Sequence, residues 1–186
     1  VTDEAVIDAM ATVPRENFVP KSKQGIAYID EDIALGDGRV LIEPMVFARM
    51  LQSAEIRSTD AVLDVACAGG YSSAVIGRIA SAVVGLESNA DFARSAEKVL
   101  LDMGADNAVI IEGDLRKGYA KQAPYDVIMI NGAIEDEPEE LFAQLSEGGR
   151  LVAVKLVNGV GRATVWTRHG DDVSARPIFD AGIPAL

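Results

Sequence analysis

The chain has 186 residues, of which 49% are hydrophobic and 25% charged, the balance of one ordinary globular domain with little room for a second. Its formal net charge of −12 makes nucleic acid and membrane surfaces poor candidate partners, because both carry negative charge. The single cysteine excludes an intramolecular disulfide and fits a reducing, cytoplasmic compartment, and no apolar run approaches the roughly 20 residues of a membrane helix.

The first part of the chain predicts a small cap of helices and a hairpin. Apolar residues at helical spacing predict a helix over Glu4–Ala11, and Ile33–Ile42 predicts a hairpin that turns at Gly36-Asp37-Gly38. Pro44 suits the first position of the helix that follows. The start of the chain lacks both a methionine and the segments of a signal peptide, so we expect it to lie inside a longer chain.

From residue 60 onward, short apolar runs alternate with segments of helical spacing. This alternation predicts an α/β fold, a doubly wound Rossmann-like sheet that is mostly parallel, with helices on both faces. The predicted strands are 61–65, 82–86, 109–111, 127–130 and 151–154, the predicted helices are 72–80, 91–103 and 139–145, and a C-terminal antiparallel hairpin is predicted over 161–167 and 173–179. We therefore expect a single domain over 1–186, with an N-terminal cap over 1–58 and a cofactor-binding core over 59–186.

The turn after the first strand of the sheet is the first candidate for a ligand site. Ligands of such sheets bind at the carboxyl ends of the strands, where the strand order reverses. Only small residues fill positions 66–70, which lets a ligand lie against the backbone, and the following helix offers N–H groups to an anion. A dinucleotide fingerprint requires glycines where Ala66, Ala68 and Tyr71 stand, so an NAD-dependent oxidoreductase is disfavoured. Alone, the turn is equally consistent with a tight strand-to-helix connection.

Residues at the next strand ends support a ligand site. Glu87 ends the second strand, where a carboxylate can accept both ribose hydroxyls. The turn resembles motif I of S-adenosylmethionine-dependent methyltransferases, acidic-x-Gly-x-Gly-x-Gly, with two glycines replaced. That resemblance implies adenine contacts after the third strand and a cleft floor near the methyl group at Asn131. We predict S-adenosylmethionine as the cofactor and no metal; the predicted cofactor-binding residues are Asp64, Ala66, Cys67, Ala68, Gly70, Tyr71, Glu87, Ser88, Gly113, Asp114, Leu115 and Asn131.

Longer motifs resemble the protein-L-isoaspartate O-methyltransferases. Val13–Pro20 contains the Val-Pro-Arg and Phe-Val-Pro pieces of that family's N-terminal signature, and Gly113–Asp126 resembles its third block. The resemblance implies an O-methyltransferase that esterifies isoaspartyl carboxylates in damaged proteins, a repair reaction. Its partner would be an isoaspartyl protein or peptide, and the enzyme a monomer or weak homo-oligomer. Such a carboxylate is already ionised at neutral pH, so no general base is required.

One loop departs from the family pattern. Where the family carries Ile-Ser-Ala-Pro-His, this chain reads Leu41-Ile42-Glu43-Pro44-Met45. The serine position falls on Ile42 and the histidine position on Met45, while Glu43 adds a charge that would repel an isoaspartyl carboxylate. We therefore assign no catalytic residue. Two alternatives stay open: a methyltransferase with another acceptor, and a cofactor-binding protein without catalysis.

Several other reactive or charged residues have simpler interpretations. His169 has no companion ligands and is interpreted as a surface residue, and Cys67 has no histidine partner and is interpreted as a small filler. The acidic run Glu135–Glu140 is interpreted as a charged loop before a helix. Arg39 and Lys155 are the basic residues expected near strand ends, where either could attract an acceptor carboxylate.

Overall fold

The computed structural model describes residues 1–186 and contains a seven-stranded sheet and a separate two-stranded sheet. The cap consists of helix α1 (Glu4–Thr12), two 3-10 turns (Arg15–Phe18 and Lys21–Ile26), strands β1 (Ile33–Gly36) and β2 (Arg39–Leu41), and helix α2 (Pro44–Ala54). The carboxylate of Asp3 caps α1 by accepting the N–H groups of Ala5 and Val6. Pro44 is the first residue of α2, as predicted.

The core alternates strands and helices. Its strands are β3 (Ala61–Val65), β4 (Ala82–Glu87), β5 (Ala108–Glu112), β6 (Tyr125–Ile134), β7 (Leu145–Val157), β8 (Val160–His169) and β9 (Asp172–Asp180). Its helices are α3 (Tyr71–Gly77), α4 (Ala90–Asp102) and α5 (Glu139–Phe142), and a 3-10 turn covers Ala120–Gln122. The fold class predicted from the sequence is confirmed, including the C-terminal antiparallel strands.

The strand order creates a switch point. The order is β5-β4-β3-β6-β7-β8-β9, with parallel pairing from β5 to β7 and antiparallel pairing from β7 to β9. The chain builds the sheet in one direction from β3 to β5, then returns to the other side of β3 with β6. The carboxyl ends of β3 and β6 therefore border the crevice in which such sheets bind ligands.

Alternating side chains along the strands supply two hydrophobic clusters. In β6, Val127 and Met129 join the larger cluster, while Ile128 and Ile130 join the smaller one. This period of two places a buried residue on each face of the sheet, as expected for a strand covered on both sides. The larger cluster also receives residues from α1 to α4, whereas only α5 contributes a helix to the smaller one. None of the helices is long and apolar enough to span a membrane.

The segment after residue 138 differs from the prediction. The helix predicted over 139–145 ends at Phe142, and β7 already begins at Leu145. Leu145 lies beside Tyr125 of β6, whose N–H donates to the carbonyl of Gln144 at 2.8 Å. Pairing with β6 thus replaces the last helical turn, and Gly148-Gly149 lies inside the strand. The strands β6 and β7 are both longer than their apolar runs predicted.

Candidate functional site

A cavity of about 730 Å³ lies at the carboxyl ends of the strands beside the switch point. Val65, Leu115, Ile130 and Leu141 give it an apolar lining, and Ser88 and Asp114 add polar groups; acidic residues of the segment 135–140 line its rim. The volume lies within the range of small-molecule sites. Apolar walls with a few polar groups suit a ligand that combines a flat ring with a polar sugar.

The turn between β3 and α3 has a left-handed backbone conformation at three alternate positions. Ala66, Ala68 and Gly70 have φ angles of +60°, +47° and +94°. A left-handed conformation costs an L-residue about 1–2 kcal/mol, so the two alanines store strain where motif I has glycines. A Cβ on Gly70 would lie 3.0 Å from the Cβ of Ala96 in α4, so glycine is also needed there for space. Strained backbone of this kind concentrates at ligand sites.

Asp64 is completely buried beneath this turn. It accepts hydrogen bonds from the hydroxyls of Ser72 and Ser73, both at 2.6 Å, and from the side-chain amide of Asn131 at 2.7 Å. Burial raises the pKa of Asp64 to about 6, although these three donors act against the shift. Asp64 therefore joins β3, α3 and β6 from below, and it does not line the cavity.

The raised pKa predicts a stability change with pH. An ordinary Asp has a pKa of about 4, so the folded protein holds this proton more tightly than the unfolded chain. The contribution is complete below about pH 4 and is lost as pH rises to about 6, a change of about 3 kcal/mol. The Asp64→Asn variant does not titrate there, so its free energy of unfolding relative to wild type should rise by about that amount between pH 4 and 7. Urea unfolding at both pH values measures the difference, and a constant difference contradicts the prediction.

Glu87, at the end of β4, has no exposed surface. Its carboxylate accepts the backbone N–H groups of Ala68, Ser88 and Asn89 at 2.7, 2.8 and 3.0 Å. It also forms an ion pair with Arg39, which comes from the hairpin of the cap. The acid thus holds the strained turn and the end of its own strand together.

The predicted cofactor residues fall into two groups. Ser88, Asp114 and Leu115 line the cavity, whereas Tyr71 is buried between Phe18 and Phe47, with ring centroids at 5.5 and 5.6 Å. Residues 66, 68 and 70 form the turn itself, Cys67 is buried within it, and the N–H of Gly113 donates to the carbonyl of Glu87. Burial raises the pKa of the Cys67 thiol well above its usual range, which opposes a nucleophilic role.

The loop that departs from the family pattern is split between core and surface. Ile42 is 3% exposed and belongs to the larger cluster, whereas Met45 is 50% exposed. The N–H groups of Glu43 and Met45 donate to the carboxylates of Asp32 and Asp30 at the start of α2. Partial burial raises the pKa of Glu43, and the neighbouring acids raise it further. Met45 is therefore the position of this loop that a ligand can reach without rearranging the core.

Sequence reasoning missed two features, the rim of the cavity and the burial of Arg15, and it predicted Lys155 near a strand end without its contacts. The segment 135–140, interpreted as a charged loop, forms the rim of the cavity. Lys155 is held at that rim by the carbonyl of Glu135 at 2.6 Å and the carboxylate of Glu137 at 3.4 Å. Arg15 is buried, and its guanidinium lies 5.0 Å above the ring of Tyr71. The charge run was a usable signal for the rim, but nothing in the sequence indicates the burial of Arg15.

Comparison with known proteins gives consistent matches. Residues 1–175 match the family described as protein-L-isoaspartate(D-aspartate) O-methyltransferase. A protein-L-isoaspartate O-methyltransferase of Koribacter versatilis is 41% identical over 152 residues, which cover 82% of this chain and 68% of the relative. One of Methanoculleus marisnigri is 37% identical over 172 residues, which cover 87% of this chain and 78% of the relative.

Two solved structures share the fold. A protein-L-isoaspartate O-methyltransferase superposes with a TM-score of 0.90 at 22% identity, over 99% of this chain and 61% of the other. A Plasmodium falciparum protein described in the same terms, in complex with S-adenosyl-L-homocysteine, superposes with a TM-score of 0.86 at 20% identity, over 100% of this chain and 91% of the other. The present chain thus spans less than two thirds of the first of these structures.

Proposed function

Because the chain belongs to the protein-L-isoaspartate(D-aspartate) O-methyltransferase family, we propose that it transfers a methyl group from S-adenosylmethionine to the free carboxylate of L-isoaspartyl residues in proteins or peptides. The observation that carries the proposal is the cavity at the switch point, which is lined by Val65 just before the strained turn and by Ser88 just after Glu87. Esterification of this carboxylate would allow repair of damaged chains.

The residues of the cleft fit this cofactor. Leu115 and Ile130 offer an apolar surface for adenine, and one carboxylate oxygen of Asp114 accepts the N–H of Arg116, which leaves the other for the adenine amino group. Glu87 stands at the end of the second core strand, where dinucleotide folds bind the ribose, and we propose the same role for it here. S-adenosylmethionine supplies, when bound, a methyl group attached to a positively charged sulfur. The acidic rim at 135–140 lowers the energy of a cation in the cleft.

The chain's contribution to the reaction is alignment of the reacting groups. Asp64 and Asn131 fix β3, α3 and β6 relative to one another, which holds the turn in one geometry. An isoaspartyl carboxylate is ionised at neutral pH, so the protein has no proton to remove from it. Displacement at a methyl group depends on the distance and angle of attack, and a turn held in one geometry helps to fix both.

The departing loop yields a prediction about the acceptor. The Met45→His variant places an imidazole at the exposed position and should raise turnover of an isoaspartyl peptide roughly tenfold, the scale of one added polar contact. Met103→His, at the exposed end of α4, is the matched control and should leave turnover unchanged. Ile42→Ser should cost about 2–4 kcal/mol of stability, because a hydroxyl replaces a packed side chain in the core. If the double variant that combines Ile42→Ser with Met45→His methylates the isoaspartyl peptide no faster than wild type, an acceptor role for this loop is contradicted.

The deciding experiment measures methyl transfer from labelled S-adenosylmethionine to an L-isoaspartyl peptide beside its normal aspartyl twin. Base-labile label on the isoaspartyl peptide alone supports the proposal. Binding of the cofactor with no label on either peptide favours a different acceptor. Glu43 supports this alternative, because its negative charge would repel an isoaspartyl carboxylate. Binding without turnover on any acceptor favours a cofactor-binding protein without catalysis.

We also propose a reducing compartment, such as the cytoplasm, and a monomer or weak homo-oligomer. The first rests on the single buried cysteine, which takes no part in a disulfide. Sedimentation analysis tests the second. The net charge of −12 also disfavours nucleic acid and membrane partners, which binding assays at low salt would detect.

A further inference from the structure

The carboxylate of Glu87 is enclosed by four donors. One oxygen accepts the N–H groups of Ser88 and Asn89 and pairs with the guanidinium of Arg39, and the other accepts the N–H of Ala68. A carboxylate offers about four acceptor positions. Since Glu87 has no exposed surface, neither oxygen is open to the hydroxyls of a ribose.

Arg39 is the donor that can leave. The other three are backbone N–H groups of the turn and of the strand end, which are fixed by the fold. Arg39 belongs to the separate two-stranded sheet, and its guanidinium also lies 3.4 Å from the carbonyl oxygen of Ala66. Its side chain is 11% exposed, and the side chain of Glu87 with which it pairs has no exposed surface.

The hairpin has an anchored base and a lightly held tip. Ile33 and Leu41 are buried at the base, whereas residues 36–38 at the tip are exposed. Besides the Arg39 contacts, the side-chain contact from the tip to the core is a hydrogen bond from the Asn89 amide to Asp37 at 2.9 Å. Leu35 and Val40 beside the tip pack against the larger cluster, so the part of the hairpin that can move without breaking hydrophobic contacts consists of residues 36–38 and the side chain of Arg39.

We propose that Arg39 is a latch on the ribose position of the cofactor site: it occupies the acceptor positions of Glu87 until S-adenosylmethionine displaces it. This inference rests on the proposed function. A site that is closed in most molecules binds with an affinity reduced by the open fraction. Arg39 thus sets the affinity for the cofactor while taking no part in methyl transfer.

Isothermal titration with S-adenosyl-L-homocysteine tests the latch. Arg39→Gln should lower the dissociation constant about tenfold, because the competing cation is gone. Arg39→Lys keeps a cation beside Glu87 and should stay within about threefold of wild type. Arg94→Gln removes the same charge from the exposed surface of α4, outside the lining of the cavity, and it should change the constant less than about twofold. Arg39→Met provides a second variant if the glutamine variant does not fold.

A second ligand separates the latch from a general opening of the cavity. Adenine lacks the ribose, so its affinity should be the same in wild type and in Arg39→Gln. The latch is supported if Arg39→Gln binds S-adenosyl-L-homocysteine more tightly than wild type does while both proteins bind adenine equally. This outcome includes the case in which wild type shows no binding of S-adenosyl-L-homocysteine. If wild type binds and the variant binds equally or more weakly, the latch is overturned while the proposed cofactor stands. If neither protein binds, both proposals are overturned.

Discussion

Replacing Arg15 with alanine should lower the free energy of unfolding by about 3–5 kcal/mol. Arg15 is 1% exposed, and its Nε and Nη2 donate to the carbonyls of Ala27 and Ile42 at 2.6 and 2.7 Å. Each hydrogen bond from a charged donor contributes about 1.5–3 kcal/mol, and the substitution also leaves a cavity and two buried carbonyls without partners.

The position of Arg15 explains why one residue has this effect. It joins the segment after α1, the loop before the hairpin and the segment between β2 and α2, and its guanidinium packs on Tyr71 of the core. Urea unfolding measures the change. Arg49→Ala is the matched control, since this exposed arginine lies 3.8 Å over the ring of Phe179 and should contribute about 0.5–1 kcal/mol. If Arg15→Ala lowers the free energy of unfolding by less than about 1 kcal/mol, the contacts of Arg15 are not important for stability.

Replacing Glu87 with glutamine should weaken the binding of S-adenosyl-L-homocysteine roughly 10- to 100-fold. The substitution keeps the shape of the side chain but exchanges one acceptor oxygen for a donor. The oxygen that faces Ser88 and Asn89 is the better place for the remaining carbonyl, so the new amide faces the N–H of Ala68. The turn loses an anchor, and a ribose loses charged acceptors that contribute about 1.5–3 kcal/mol each.

The neighbouring strand provides a control for this substitution. Glu112 of β5 is in register with Glu87 but exposed, so Glu112→Gln makes the same chemical change one strand away. We expect its dissociation constant to stay within about twofold of wild type, because exposed charges contribute little. Titration of both variants decides the matter. A dissociation constant for Glu87→Gln within about threefold of wild type would remove Glu87 from the ribose position.

The element pattern of the core follows from local sequence. Val127–Ile130 is a continuous buried apolar run, and a glycine follows α4. Both are properties of short segments, so the apolar pattern and turn chemistry predict them. The start of β7 at Leu145 is different. It depends on pairing with Tyr125, which is distant in sequence, and a helical pattern of a few residues is weaker than that pairing.

The features of the candidate site also divide into those that the sequence predicts and those that depend on tertiary contacts. The sequence by itself determined the fold class, the family and the strand ends at which the acids Asp64, Glu87 and Asp114 stand, because residue order and strand order place them at one edge of the sheet. Only the tertiary structure decided that Asp64 is buried, that Arg39 forms an ion pair with Glu87 and that Arg15 joins separate segments by hydrogen bonds. Burial and ion pairing depend on neighbours brought together from distant segments, and no local pattern encodes those distances.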